Sequence, residues 1–243
     1  MLKALVILCA LVTYLNSPVA AALEIVAKVI KTQGVVEIQD ANGKRTNKVV
    51  AGSVLSKNQI LNTSANGVVA IRTSTGDTVV LNSTSAIKAS PEKNTIEHLG
   101  GKVLYLFTPN KTIDRNVRLH TATMGIRGTT FLVDSDQNQA TSVALIEGQL
   151  EVNSLQAGFN VYQQKTADDF DAYKRQIEEG VAAEQKEFDQ YTTKTEEEFV
   201  AFQKSITLEK QQSLSLKDDK AVIGAINAQM AQSVAELQKF IAK

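Results

Sequence analysis

The feature that most restricts this chain is a change of period close to Gly158. Up to that point short apolar runs alternate with turn residues about every ten positions, whereas beyond it apolar residues recur at helical spacing. Eleven of the 13 glycines lie at or before Gly158, and no proline follows Pro109. Val35–Glu37, Val68–Thr73, Thr78–Leu81, Val103–Phe107, Val117–Thr121, Thr129–Val133, Ser142–Ile146 and Leu150–Val152 read as strands. Asn42-Gly43, Asn66-Gly67, Gly76-Asp77, Gly100-Gly101 and Glu147-Gly148 supply the turns between runs, because glycine tolerates the positive φ of tight turns. Many short strands at even spacing predict a mainly β domain, wound as a β-sandwich, a barrel or a short β-helix.

In the second half, Phe170, Tyr173, Ile177 and Val181 are spaced 3-4-4. Phe188, Tyr191, Thr195 and Phe199 repeat that spacing, and Phe202 and Ile206 extend it. Pairs such as Ile177/Phe188 and Tyr191/Phe202 lie eleven apart, a repeat that holds one stripe on one face of a nearly straight helix. Ile223, Ile226, Met230, Val234, Leu237 and Ile241 mark a second apolar face, with Asp218 or Asp219 as its N-cap. The expectation is a two-helix C-terminal hairpin over residues 161–243, with helices at about 163–210 and 219–242. Its apolar seam would be Phe170, Tyr173, Ile177, Phe188, Tyr191, Phe199 and Phe202. Such a seam packs the helices on each other or on the β-domain, or joins copies of the chain as a coiled coil. Binding to a membrane surface is the weakest of these uses, since surface helices usually carry a basic polar face and this one is acidic.

The two ends differ in purpose. Lys3, the apolar stretch Ala4–Tyr14, the breakers Asn16-Ser17-Pro18 and the small residues Val19–Ala22 have the order of a signal peptide over 1–22, cleaved near Ala21 or Ala22. The apolar stretch is shorter than the ~20 residues that a spanning helix needs. Export implies a periplasmic or secreted protein without an integral span after cleavage. Cys9, the single cysteine, leaves with the leader, so the mature chain needs no disulfide. The 26 basic and 26 acidic residues balance, although the stretch from Phe159 onward holds 11 basic against 15 acidic. Neither half is basic enough to draw in nucleic acid.

Several phrases of residues 27–164 resemble the FecR-like domain family. Gly34-Val35-Val36 with Ala51-Gly52-Ser53-Val54-Leu55 is similar to its opening strand and step, and Ser74–Leu81 is similar to its hairpin with Asp and Gly exchanged. The fullest likeness is Thr121-Ala122-Thr123-Met124-Gly125-Ile126-Arg127-Gly128-Thr129-Thr130-Phe131-Leu132-Val133, where Ala122 replaces the usual proline. Thr141–Val152, containing Glu147-Gly148, and Leu155–Gly158 resemble the closing phrases. The resemblance implies an all-β extracytoplasmic domain over 23–160. In the family's best-known members that domain follows a cytoplasmic anti-sigma segment and one membrane span. Neither precedes it here, so signal transmission is not carried over.

Within that signature, Arg127, Gly128 and Thr129 are the candidate contact residues. A guanidinium fork can clip neighbouring loops through their carbonyls, or it can meet a carboxylate on a partner. Catalytic and metal-binding patterns are missing: His98 and His120 form no HxxxH pair, and no phosphate loop, G-x-S-x-G elbow or S-x-x-K motif occurs. Asp134, Asp136 and Asn138 alternate as calcium ligands do, but the glycine and distal Glu of an EF-hand loop are absent. The expected function is therefore an exported, non-enzymatic module, without metal or cofactor, that binds a protein, peptide or cell-envelope polymer. An accessory to a transmembrane envelope-signalling regulator is the alternative, and a carbohydrate-acting enzyme the less favoured one.

Overall fold

In the first half, strands form where the apolar runs place them, and they distribute between two sheets. The computed structural model describes residues 24–46, 48–110, 112–164 and 197–242. The first strands are β1 (Ile25–Gln33), β2 (Val36–Gln39), β3 (Arg45–Thr46), β4 (Val54–Ser56), β5 (Ile60–Thr63), β6 (Val68–Thr73), β7 (Thr78–Leu81) and β8 (Ala86–Ala89). Then come β9 (Thr95–Leu106), β10 (Arg115–Arg118), β11 (Ala122–Ile126), β12 (Thr130–Ser135), β13 (Thr141–Glu147), β14 (Leu150–Ser154) and β15 (Phe159–Gln164). The second half adds β16 (Glu197–Gln203), β17 (Ser205–Leu208), β18 (Gln212–Lys217), β19 (Lys220–Ala225) and one helix, α1 (Ala228–Ala242).

One sheet, here sheet A, has the order β4-β1-β6-β7-β9-β12-β13-β18-β19-β15-β16. The other, sheet B, has the order β3-β2-β5-β8-β9-β10-β11-β14-β17. Strand β9 belongs to both. Its first half pairs with β8 and β10, and its second half with β7 and β12. The crossing is at Gly100-Gly101. Gly101 takes φ +77°, and a Cβ there would stand 2.4 Å from the Thr84 carbonyl oxygen, so no larger residue fits the bend. Neither sheet closes on itself, so of the expected windings the barrel is not formed, and the inward residues of the two sheets share one core.

The middle of sheet A is buried on both sides. Val79, Val103, Phe131 and Val143 point into the core, while Ala70, Val80, Leu104, Leu132 and Ala144 form a single cross-strand row on the outer face. Val234 and Leu237 of α1 cover that row, flanked by Met230, Phe240 and Ile241. Lys31 Nζ donates to the Phe240 carbonyl at 2.7 Å and Lys102 Nζ donates to Ser233 Oγ at 3.0 Å, pinning the helix at two places.

The two-helix hairpin is corrected by these observations. Residues 197–208, expected within the helix at about 163–210, are strands β16 and β17. Of the helix at about 219–242, only the part from Ala228 is helical. The physical reason is visible in Ser205-Ile206-Thr207-Leu208 and Ser213-Leu214-Ser215-Leu216, where the apolar residues recur with period two and are buried, and β13 and β14 offer these segments their free edges. Asp218 and Asp219 lie in the turn between β18 and β19 instead of capping a helix. The cap is Asn227, whose Oδ1 accepts from the Met230 N–H at 2.9 Å. Phe199 and Phe202 therefore sit on strand β16, not on a helical seam. Phe170, Tyr173, Ile177, Phe188 and Tyr191, like the leader at 1–22, lie outside the described residues.

Candidate functional site

Two short turns that the sequence singles out separately meet in space. Arg127-Gly128-Thr129 carries the chain from β11 in sheet B to β12 in sheet A, and Glu147-Gly148 carries it from β13 back to β14. Gly128 has φ +64°, and a Cβ on it would lie 2.8 Å from Pro109 Cα. A Cβ on Gly148, at φ +85°, would lie 2.5 Å from the Gly128 carbonyl oxygen. The turns are seated on each other and on Pro109, which leaves little freedom to the backbone that carries Arg127. Thr129 is fully buried behind them; its carbonyl accepts from the Phe107 N–H at 2.9 Å, and its hydroxyl finds no partner. Of the three candidate residues, Arg127 alone is exposed, and among the described residues its guanidinium makes no hydrogen bond or ion pair.

Arg127 stands at the rim of a groove of about 450 Å³ on the outer face of sheet B. Its floor is Gly125, which lies across from Asn116 on β10 and Glu151 on β14, with Thr207 of β17 next in the same row. Asp114, Gln149 and Asn153 complete the polar walls. An added Cβ at Gly125 meets nothing closer than 4.0 Å, so the concavity is space left by a missing side chain. The sequence motif singled out Arg127, as a clip between loops or as a partner contact, and missed the other members of the groove. Their one available signal was the alternation in Leu150-Glu151-Val152-Asn153, which sends Glu151 and Asn153 outward.

Beneath the groove lies a charge pair that the motifs did not announce. Arg115, 2% exposed, donates from Nη1 to Asp77 Oδ1 at 2.6 Å and from Nη2 to the Thr108 carbonyl at 2.8 Å. The same Asp77 oxygen accepts from the Thr108 N–H and hydroxyl, and Oδ2 accepts from Thr75 Oγ1 at 2.7 Å. Asp77, read from sequence as half of a hairpin turn, thus ties that turn to β10 and to the segment leading away from β9. A carboxylate with this many donors needs no ligand to satisfy it.

A second cavity of about 290 Å³ opens where β10 and β14 end, lined by Glu97, Leu99, Arg118, His120, Asp136 and Leu155 among others. Buried His98 stands beside it, with Nδ1 3.1 Å from the Tyr105 hydroxyl. Burial pulls the imidazole down from 6.5 to about 4, against the opposing pull of the Gly101 backbone, and burial pushes the Tyr105 hydroxyl upward. Among the described residues no three His, Cys, Asp or Glu side chains converge as a metal would require. What the outer face of sheet B supplies is hydrogen-bonding groups of both kinds on a rigid support.

Comparisons with known proteins bear on this geometry. The family described as FecR protein matches residues 59–151, from the approach to β5 as far as Glu151 in β14. The match is narrower than the motif likeness over 27–164; it includes Asn116, Gly125, Arg127 and the Gly128–Gly148 contact and stops short of Asn153 and Thr207. Two crystal structures of a candidate anti-sigma factor from Parabacteroides distasonis are similar at 12% identity, with TM-scores of 0.47 and 0.46. Each similarity covers 71% of this chain and 62% of the other, so the chain spans about three fifths of those proteins' length. No curated protein matches the chain.

Proposed function

We propose, from the premise that residues 59–151 are a FecR domain, that the chain is an exported, non-enzymatic interaction module. The groove over Gly125 is its contact surface, and Arg127 is its principal charged contact. The observation that carries the reading is the unpaired Arg127 fork held on a doubly locked turn at the edge of an open polar concavity. A guanidinium favours carboxylates and carbonyls, and the backbone share of its ordering cost is met during folding. Protein, peptide and envelope polymer all present such groups.

The FecR match also supports a second reading, in which the chain assists a membrane-spanning regulator of envelope signalling. Among the described residues no helix is long and apolar enough to cross a membrane, and in this reading the span is the regulator's. One experiment separates the readings. The full chain and its Gly125→Leu variant, which fills the groove, are each used to capture components of a membrane extract, with thermal unfolding as the control for folding. Capture by the natural chain and loss in the variant supports the groove as the contact surface. Recovery of a transmembrane regulator favours the second reading, and equal capture by both chains refutes the groove.

A further inference from the structure

The first cavity lies on sheet B and the second opens where sheet B meets the β12–β13 hairpin of sheet A, and outward positions of sheet B join the two into one track. Outward positions of β10 and its flanks, at Asp114, Asn116, Arg118 and His120, run from the first cavity into the second. On β14 the line Gln149, Glu151, Asn153 and Leu155 does the same. Between them the pairings Arg118↔Thr123 and Thr123↔Asn153 continue the polar surface across β11. Six residues at ~3.3 Å each make the track about 20 Å long. That is the length of about six extended residues, and it exceeds what a compact small molecule would use.

The chemistry along the track changes in a definite order. Unpaired Arg127 stands at one end beside Asp114, and Glu151 follows. Arg118 comes next, already held by Glu92 at 2.8 and 3.0 Å, and then Glu97, held by Lys88. Leu99 and Leu155, both about half exposed, close the far end. The middle is dominated by Asn116, Thr123 and Asn153, which both donate and accept, as a peptide backbone does. No Phe, Tyr or Trp lines either cavity, and the rings present are the imidazoles of buried His98 and exposed His120, so the surface lacks the broad aromatic platform on which sugar rings or bases stack.

We propose that the track binds an extended polypeptide segment of about six residues, with an acidic side chain at Arg127 and an apolar one between Leu99 and Leu155. This rests on the reading of the Gly125 groove as a contact surface and adds its ligand class, length and direction. Exposed Leu99 and Leu155 acquire a purpose as the anchor for the apolar residue, and the unpaired Arg127 acquires one for the acidic residue.

The test uses the full chain and two labelled pools of hexapeptides with randomised centres, one running from glutamate to leucine and the other reversed. A chitin-type hexasaccharide is the third probe, and binding is read by fluorescence anisotropy. One peptide direction is expected to bind. Arg127→Ala and Leu155→Ser should each weaken it about tenfold and Gly125→Leu should abolish it, with circular dichroism and thermal unfolding unchanged. If Gly125→Leu abolishes binding while Leu155→Ser and removal of the peptide's leucine change nothing, the extended track is overturned and the groove stands. Saccharide binding without peptide binding overturns the ligand class alone. If no probe binds, the inference fails, and the groove is judged by the capture experiment.

Discussion

The outer faces of the two sheets have opposite fates. On sheet A, Ala70, Val80, Leu104, Leu132 and Ala144 form an apolar row and α1 lies across it; on sheet B the equivalent outward rows are Asn116–Gly125–Glu151–Thr207 and Arg118–Thr123–Asn153–Ser205, left bare of any described element. The difference is written in the strands themselves. Thr78-Val79-Val80-Leu81 and Phe131-Leu132-Val133 are apolar at consecutive positions, so either register exposes hydrocarbon unless a second layer covers it. Leu150-Glu151-Val152-Asn153 alternates, and its polar face is stable in water. A face built of alternating strands can be kept open for a partner, whereas a continuously apolar one has to be covered by the chain itself.

Three experiments probe this contrast. The largest effect is expected at the pair beneath the open face. Asp77→Ala leaves Arg115 buried without its counter-charge and should cost about 3–5 kcal/mol, measured by denaturant unfolding. If the cost is below ~1 kcal/mol, the pair is not what holds the Gly76 turn against β10. On the covered face, Leu132→Ala removes a side chain 1% exposed and packed under α1. A loss of about 3 kcal/mol is expected there, against a change within ~0.5 kcal/mol for Gly125→Leu on the bare face. Equal losses at the two sites would erase the distinction between the faces.

The smallest effect concerns His98 at the far end of the open face. The unfolded chain takes up this proton near 6.5, the buried imidazole only near 4. Between those values the unfolded state holds more protons, so stability should fall as pH drops from about 6.5 to 4, by at most about 3 kcal/mol. His98→Gln should flatten that segment of the stability–pH curve. A slope unchanged by the substitution would assign the acid sensitivity to other groups.

How far the fold was legible varied with the type of signal. β6 and β7 occur over the expected residues, because their apolar runs are bounded by the glycine turns at Gly67 and Gly76 and by the polar run Asn82–Ser85. β1, β4, β5 and β8 went unread: lysines break up β1, and the others are three or four residues long, too short for a periodic signal. The expected strand at Val117–Thr121 is in fact the end of β10 and the turn into β11. The tail failed for a different reason. A separation of four keeps residues on one face of a strand as well as of a helix, and Ile206 with Leu208, which lies outside the 3-4-4 stripe, satisfied a strand once β14 was there to pair with it. At the site, Arg127 could be read from its motif, but Gly125 could not be read as a groove floor, since its neighbours Asn116 and Glu151 are 9 and 26 positions away in the chain.

Sequence alone determined the mainly β character and the places of the glycine turns. These follow from local properties: side-chain alternation, apolar runs and backbone freedom at single residues. Tertiary structure alone decided that β9 serves two sheets, that residues 197–225 extend them as strands, and that Asp77 meets Arg115 across 38 positions. Each of those outcomes depends on which edges and charges are brought together by folding, and a free strand edge or a buried cation exerts its pull only after the rest of the chain has put it within reach.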